Sequence, residues 1–119
     1  MTQEDKDILL KDLCARLPYG VKVDYDKYAC EILSIDRFHE ELTIWKCPGC
    51  YPDVELEIVK PYLFPMSSMT EEQKEEYYRT FSLSGDISGS VDFYNKNHFD
   101  WRGLIPMGLA FDATGKNIY

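Results

Sequence analysis

A change of hydrophobic rhythm near residue 20 constrains the fold of this chain more than any other feature. Apolar residues first recur at helical spacing, at Leu9, Leu10, Leu13, Cys14 and Leu17. This pattern predicts an amphipathic helix over residues 3–16. Thr2 is a suitable N-cap with Asp5 as its capping-box partner, and Pro18 and Gly20 end the helix.

Between residues 21 and 60 the rhythm shortens to two residues. Four runs rich in β-branched and aromatic residues follow one another, VKVDY, YACEILSI, ELTIWK and VELEIVK. The stretches between them are short and turn-forming, so the runs predict a four-stranded antiparallel meander. Pro61 and Pro65 predict that residues 61–65 leave the sheet, because proline cannot donate a ladder hydrogen bond.

Two further short helices are expected after the sheet. Residues 70–79 (TEEQKEEYYR) follow candidate N-caps and carry acidic residues in their first turn, which favours a helix. Ser90 can cap a third helix that extends to about Asn97, and residues 82–90, rich in Ser and Gly, are predicted to be flexible. The apolar segment over residues 98–114 contains Gly and Pro and is predicted to be ordered by packing.

The fold class that follows is α+β. We expect one domain over residues 1–119, with the N-terminal helix packed on the four-stranded antiparallel meander. A meander of this length can also curl into a small barrel.

Charge excludes some classes of partner. The formal net charge is -8 and no basic patch is visible in the sequence, so binding to nucleic acid or to an anionic membrane surface is not expected. Residues 1–12 lack the apolar stretch of a secretory signal, and no apolar run is long enough to span a bilayer. We therefore expect a cytoplasmic protein with reduced thiols.

The sharpest local motif is Cys47-Pro48-Gly49-Cys50, which allows three interpretations. The first is a type II hairpin turn, with Pro48 and Gly49 in the second and third positions and no role for the thiols. The second is a zinc site, and the third is a redox dithiol. A redox pair normally precedes a helix, whereas a strand-like run follows this motif.

The zinc interpretation needs a third ligand. If residues 28–35 pair with residues 40–46, Cys30 lies opposite about Trp45 and within reach of Cys47. The candidate metal ligands are thus Cys30, Cys47 and Cys50, and His39 would lie at the far end of that hairpin. No resident cofactor is otherwise expected.

Near the C-terminal end, His98 and Asp100 could form a general base with its orienting carboxylate, with Arg102 close by. No nucleophile motif accompanies them, so the alternative is structural: His98 ends a helix, and Asp100 and Arg102 pair with each other or bond to the backbone of a turn. No catalytic residue is assigned on this basis.

Acidic clusters occur at residues 40–41 and 71–76, where they could mimic phosphates or form exposed faces. Several aromatic residues are expected in the core, and an exposed subset could bind a partner: Tyr77, Tyr78, Phe93, Tyr94, Phe99 and Trp101.

Three segments together resemble a known family. They are LCARLPYGV at 13–21, VKPYLFPMSSMTEEQ at 59–73 and HFDWRGLIPMGLAFDATGKNIY at 98–119. They are similar to a family of short uncharacterised proteins from gut anaerobic bacteria and their phages or integrated mobile elements. The resemblance implies no catalytic residues, and the CPGC motif is not part of it.

The functional hypothesis is a non-enzymatic protein of phage or mobile-element origin that binds a protein partner. The absence of a catalytic signature, the net charge of -8 and the resemblance favour it. The alternative is a small zinc-binding or thiol-redox protein that uses the CPGC motif. A hydrolase based on His98 and Asp100 is a third hypothesis, and it requires a cleft at those residues.

Overall fold

The computed structural model describes residues 1–46, 48–84 and 87–119, without the side chains of residues 80–84, 87 and 88. Helix α1 spans Gln3–Arg16, as predicted. Thr2 and Asp5 form the capping box that the sequence indicates. A single 3₁₀ turn, Leu17–Tyr19, follows and ends at Gly20, whose φ of 72° is left-handed. Local chemistry therefore fixes both ends of the helix.

The sheet has six strands rather than the four predicted. Strands β1 (Lys22–Tyr25), β2 (Tyr28–Asp36), β3 (Glu41–Lys46) and β4 (Gly49–Glu55) form the expected antiparallel meander. Strand β5 (Lys60–Leu63) pairs antiparallel with β1, and β6 (Phe111–Asp112) pairs parallel with β5. The strand order is β4-β3-β2-β1-β5-β6. Because β4 and β6 are separate edges, the sheet is open and does not close into a barrel.

The predicted fourth strand, VELEIVK, is wrong in its placement. Strand β4 begins at Gly49, ahead of that run, and residues Leu56–Ile58 form a 3₁₀ turn. The prediction that residues 61–65 leave the sheet is also wrong for residues 61–63. These residues belong to β5, and Pro61 lies opposite Val23 of β1. Since β5 and β1 share only the pairs Val23–Pro61 and Asp24–Lys60, the missing N–H of Pro61 affects a very short ladder.

Helices α2 and α3 form a hairpin beside the sheet. Helix α2 spans Glu71–Ser84 and is longer than predicted, and Thr70 and Gln73 form its capping box. Helix α3 spans Ile87–Lys96 and therefore begins before Ser90, which is not its N-cap. Of residues 82–90, 82–84 and 87–90 are helical and 85–86 lie outside the described residues. The two helices meet through aromatic rings, with Tyr77 and Tyr94 stacked at 5.4 Å.

One hydrophobic core lies between α1 and the inner face of the sheet. It combines Leu9 and Leu13 of α1 with strand residues such as Val23, Ile44 and Leu63. The segment after α3 covers the core with Leu104, Leu109 and Ala110, and β6 is its short regular part. The structure thus confirms that an N-terminal helix packs on the sheet and that packing orders the C-terminal segment.

Candidate functional site

The three candidate metal ligands do not come together in the described residues. Cys47 lies outside them. Cys30 is buried on the inner face of the sheet opposite Val23, and burial raises the pKa of its thiol. Cys50 is exposed and lies opposite Trp45, whose other neighbour is Glu31. Because cross-strand partners share a face and adjacent residues alternate, Cys30 and Cys50 lie on opposite faces.

Two details of the predicted hairpin geometry need correction. Glu31, not Cys30, lies opposite Trp45. The turn between β2 and β3 comes one residue later than predicted, which moves the pairing by two positions, and the bulge in β2 moves it back by one. At the next hairpin, Gly49 pairs with Lys46 inside the ladder and has no left-handed φ. Gly49 therefore does not occupy the third position of a type II turn. As the sequence indicates, a strand and not a helix follows the motif.

Within residues 1–46, 48–84 and 87–119, no group of three His, Cys, Asp or Glu side chains is placed to hold a metal ion. His39 is in the exposed turn expected for it, where its Nδ1 lies 2.7 Å from Asp36 Oδ2. That contact raises the pKa of His39 and lowers the pKa of Asp36. The pair organises the turn between β2 and β3, since Asp36 also accepts hydrogen bonds from the N–H groups of Phe38 and His39.

His98 and Asp100 are neighbours without the contact that a catalytic pair requires. Asp100 accepts hydrogen bonds from the backbone N–H groups of Leu104 and Ile105. The His98 ring lies under Tyr119, with centroids 3.7 Å apart, and its Nδ1 has no hydrogen-bond partner within the described residues. A base-orienting hydrogen bond between them is therefore absent from the described structure.

His98 ends helix α3 as predicted, although not as a cation. It takes the left-handed position of a Schellman motif, with φ of 62°, and the N–H of Phe99 bonds to the carbonyl of Tyr94. Burial, with the charges of Arg16 and Lys22, lowers the pKa of His98 to about 4. The ring is therefore neutral near pH 7 and does not act as a charge on the helix dipole.

The most deeply buried charges are ones that the sequence analysis missed. Asp12 and Arg16 are both fully buried on α1, and Arg16 Nε donates to Asp12 Oδ2 at 2.8 Å. Arg102 Nε donates to the other carboxylate oxygen, Asp12 Oδ1, at 3.1 Å. Arg16 also donates through Nη2 to the carbonyl of Phe99. The predicted pairing of Arg102 with Asp100 is thus replaced by a pairing with Asp12.

A sequence signal for this network existed. Leu9, Asp12, Leu13 and Arg16 follow the i, i+3, i+4, i+7 pattern of one helix face, so the charged pair falls inside the apolar stripe. By its position in the last turn of α1, Arg16 would also suit the helix dipole. Its actual role is to fasten α1 to the segment after α3.

The face of the sheet opposite the core, which we call the outer face, carries exposed apolar side chains. Lys22, Glu31, Trp45 and Cys50 lie side by side across β1 to β4. Trp45 is 41% exposed there, and Leu33, at the bulge of β2, is 47% exposed. An exposed tryptophan and an exposed leucine on neighbouring strands of an open sheet are a feature of interaction surfaces.

Towards the turn between β2 and β3 the outer face becomes acidic. Asp36, Glu41 and Glu55 lie opposite one another on three neighbouring strands, and we call them the carboxylate row. Desolvation, with a hydrogen bond to Asp53, raises the pKa of the Glu41 carboxyl. Like charges directly opposite each other destabilise strand pairing. The repulsion within the carboxylate row is therefore a cost to strand pairing, and the contact between His39 and Asp36 offsets part of it.

The aromatic residues singled out in the sequence mostly serve packing. Phe93 and Phe99 are buried and stacked at 6.3 Å, and Trp101 Nε1 donates to Asn95 Oδ1. Tyr78 is exposed on α2. Sequence reasoning missed Trp45 and Phe38, which is 89% exposed at the tip of the β2–β3 hairpin.

Comparison with known proteins adds no relative: no protein-family model, curated protein or solved structure matches this chain. Among the described residues, no helix is both long and apolar enough to cross a membrane.

Proposed function

We propose that this chain is a non-enzymatic protein-binding protein whose outer face docks a basic segment of a protein partner. The observation that carries the proposal is Trp45, which is 41% exposed on the outer face between Glu31 and Cys50. Tryptophan is among the residues that most often dominate the binding energy of an interface. Leu33 beside it enlarges the apolar centre that such an interface requires.

Charge complementarity indicates the chemistry of the partner. The carboxylate row adds three aligned acids to the same face, and Asp53 lies against one of them. Their mutual repulsion is relieved when lysine or arginine side chains of a partner approach. A partner with an apolar anchor for Trp45 and basic residues for the carboxylate row fits this surface. Phe38, at the tip of the same hairpin, can extend the contact.

The origin in a phage or mobile element rests on the sequence resemblance alone. The assignment as non-enzymatic is supported by the missing contact between His98 and Asp100, and by Tyr119, which covers His98. The acidic outer face also supports a protein partner over a nucleic acid, because phosphates would be repelled there.

The test uses fluorescently labelled deca-arginine and deca-glutamate peptides as probes, with anisotropy as the readout. We expect deca-arginine to bind at low salt and deca-glutamate not to bind. Trp45→Ala and the double variant Glu41→Gln, Glu55→Gln should each weaken deca-arginine binding by roughly tenfold.

The matched control is Glu72→Gln, Glu75→Gln on α2, which removes the same charge from a different surface. It should leave the affinity unchanged. If this control weakens binding as much as the outer-face variants do, or if Trp45→Ala has no effect, the proposal fails. A partner recovered from a host lysate counts as support only when the outer-face variants lose it and the α2 variant retains it.

A further inference from the structure

An ammonium group already lies among aromatic rings at one end of the sheet. Lys46 Nζ is 4.3 Å from the centroid of the Tyr28 ring and 5.8 Å from that of Tyr51. Tyr25 supports Tyr51 from the side, with ring centroids 6.1 Å apart. Asp26 Oδ2 lies 3.5 Å from the same ammonium. Aromatic faces combined with a carboxylate are the groups with which proteins bind organic cations.

A cavity of about 600 Å³ adjoins this cage. It shares Tyr28 and Lys46 with the cage, and its other lining residues are Lys22, Ala29, Glu31 and Trp45. This volume lies within the range of small-molecule sites. A ligand in the cavity can therefore contact both the Tyr28 ring and the Lys46 side chain.

We propose that Tyr25, Tyr28, Tyr51 and Asp26 form a site for an organic cation of the trimethylammonium type, and that Lys46 occupies this site when no ligand is bound. A lysine ammonium is a strongly hydrated point charge. A trimethylammonium group is less hydrated and larger, so it covers more of the aromatic faces and loses less on leaving water. A trimethylammonium ligand should therefore displace the Lys46 ammonium from the site. This inference does not depend on the partner proposed for the outer face.

The test compares choline with its neutral carbon analogue, 3,3-dimethylbutan-1-ol, by titration calorimetry. Wild-type protein should bind choline weakly, because Lys46 competes for the cage. Lys46→Ala should bind choline roughly tenfold more tightly and should discriminate against the neutral analogue. Lys11→Ala is the matched control, since it removes one lysine from the exposed side of α1, and it should bind like the wild type.

A second variant tests the rings themselves. Lys46→Ala, Tyr28→Leu keeps an apolar side chain but removes an aromatic face, and it should lose most of the gain in affinity. The inference is overturned if Lys46→Ala binds choline no more tightly than Lys11→Ala, or if the neutral analogue binds Lys46→Ala equally well. Circular dichroism shows that each variant is folded.

The cation can belong to a free molecule or to a trimethylated lysine of a protein. A short peptide with one trimethyllysine distinguishes them in the Lys46→Ala background. Tighter binding of the peptide than of choline indicates a chain-borne cation, and equal or weaker binding indicates a small molecule. Both results support the proposed chemistry.

Discussion

Removal of the Asp12 carboxylate should destabilise this protein much more than removal of a surface charge. Asp12 is fully buried and accepts hydrogen bonds from Arg16 at 2.8 Å and from Arg102 at 3.1 Å. Asp12→Ala leaves the fully buried Arg16 guanidinium without its counter-ion. Breaking a buried pair in this way costs about 3–5 kcal/mol, against a total stability of roughly 5–15 kcal/mol for a typical domain.

The assay is guanidinium unfolding followed by fluorescence and by circular dichroism. The free energy of unfolding should fall by about 3–5 kcal/mol for Asp12→Ala, and the melting temperature by roughly 10–20 °C. Arg102→Met keeps the packing of the aliphatic stem and removes one of the two donors. It should cost less, because Arg102 is partly exposed and Arg16 still pairs with Asp12.

A double-mutant cycle separates the pairing from general loss of packing. Asp12→Asn, Arg102→Met and their combination should give an interaction energy of about 1–3 kcal/mol, since the residues share one network. Additive effects would show that the Asp12–Arg102 contact contributes nothing. A cost below about 1 kcal/mol for Asp12→Ala, the level of a surface pair, would refute the assignment of Asp12 as a buried anchor.

Two further predictions concern single residues. Because the folded-state pKa of His98 is about 4 and its ordinary value is 6.5, the unfolded chain binds the proton first as pH falls, so stability present above pH 6.5 should be lost progressively towards pH 4. The free energy of unfolding should fall by about 2 kcal/mol over this range, after allowance for solvent screening. His98→Asn, in which asparagine tolerates the left-handed φ, should remove this part of the pH dependence. If the stability of His98→Asn depends on pH as that of the wild type does, the neutral buried ring is contradicted. Cys50 should react rapidly with a thiol reagent in the native state, whereas Cys30 should react only on unfolding, and stoichiometric zinc protecting both thiols would instead support the metal-site hypothesis.

Features encoded by neighbouring residues were predictable from the sequence. The bounds of α1 follow from Thr2, Asp5 and Gly20, which act within a turn or two of the helix ends. The first two meander hairpins follow from strand runs joined by short turns. Each of these features depends on contacts between residues close in sequence, so composition and spacing were enough.

Features that depend on distant partners were not predictable. Strand β6 consists of Phe111 and Asp112 alone, and it exists because Tyr62 and Leu63 lie beside it. Pro61 enters β5 because β1 offers a neighbouring strand, which outweighs the local preference of proline. The same holds for the candidate site, since the exposure of Trp45 becomes visible only when the register of β3 is known.

The segments that carry the family resemblance converge in the structure. Arg16, from residues 13–21, donates to the carbonyl of Phe99, which lies in residues 98–119. Phe64, from residues 59–73, exchanges backbone hydrogen bonds with His98 and Asp100.

These three segments therefore form the frame that holds α1, β5 and the C-terminal segment together. The outer face and the proposed cation site, formed by Tyr25, Tyr28, Tyr51 and Asp26, lie within residues 22–55, outside those segments. If the proposed outer face is the recognition surface, we expect a protein that has these three segments but other residues in place of 28–55 to keep the fold and to lose the partner of this chain. Grafting residues 28–55 of this chain onto such a protein should transfer deca-arginine binding to it, whereas grafting the frame segments should not.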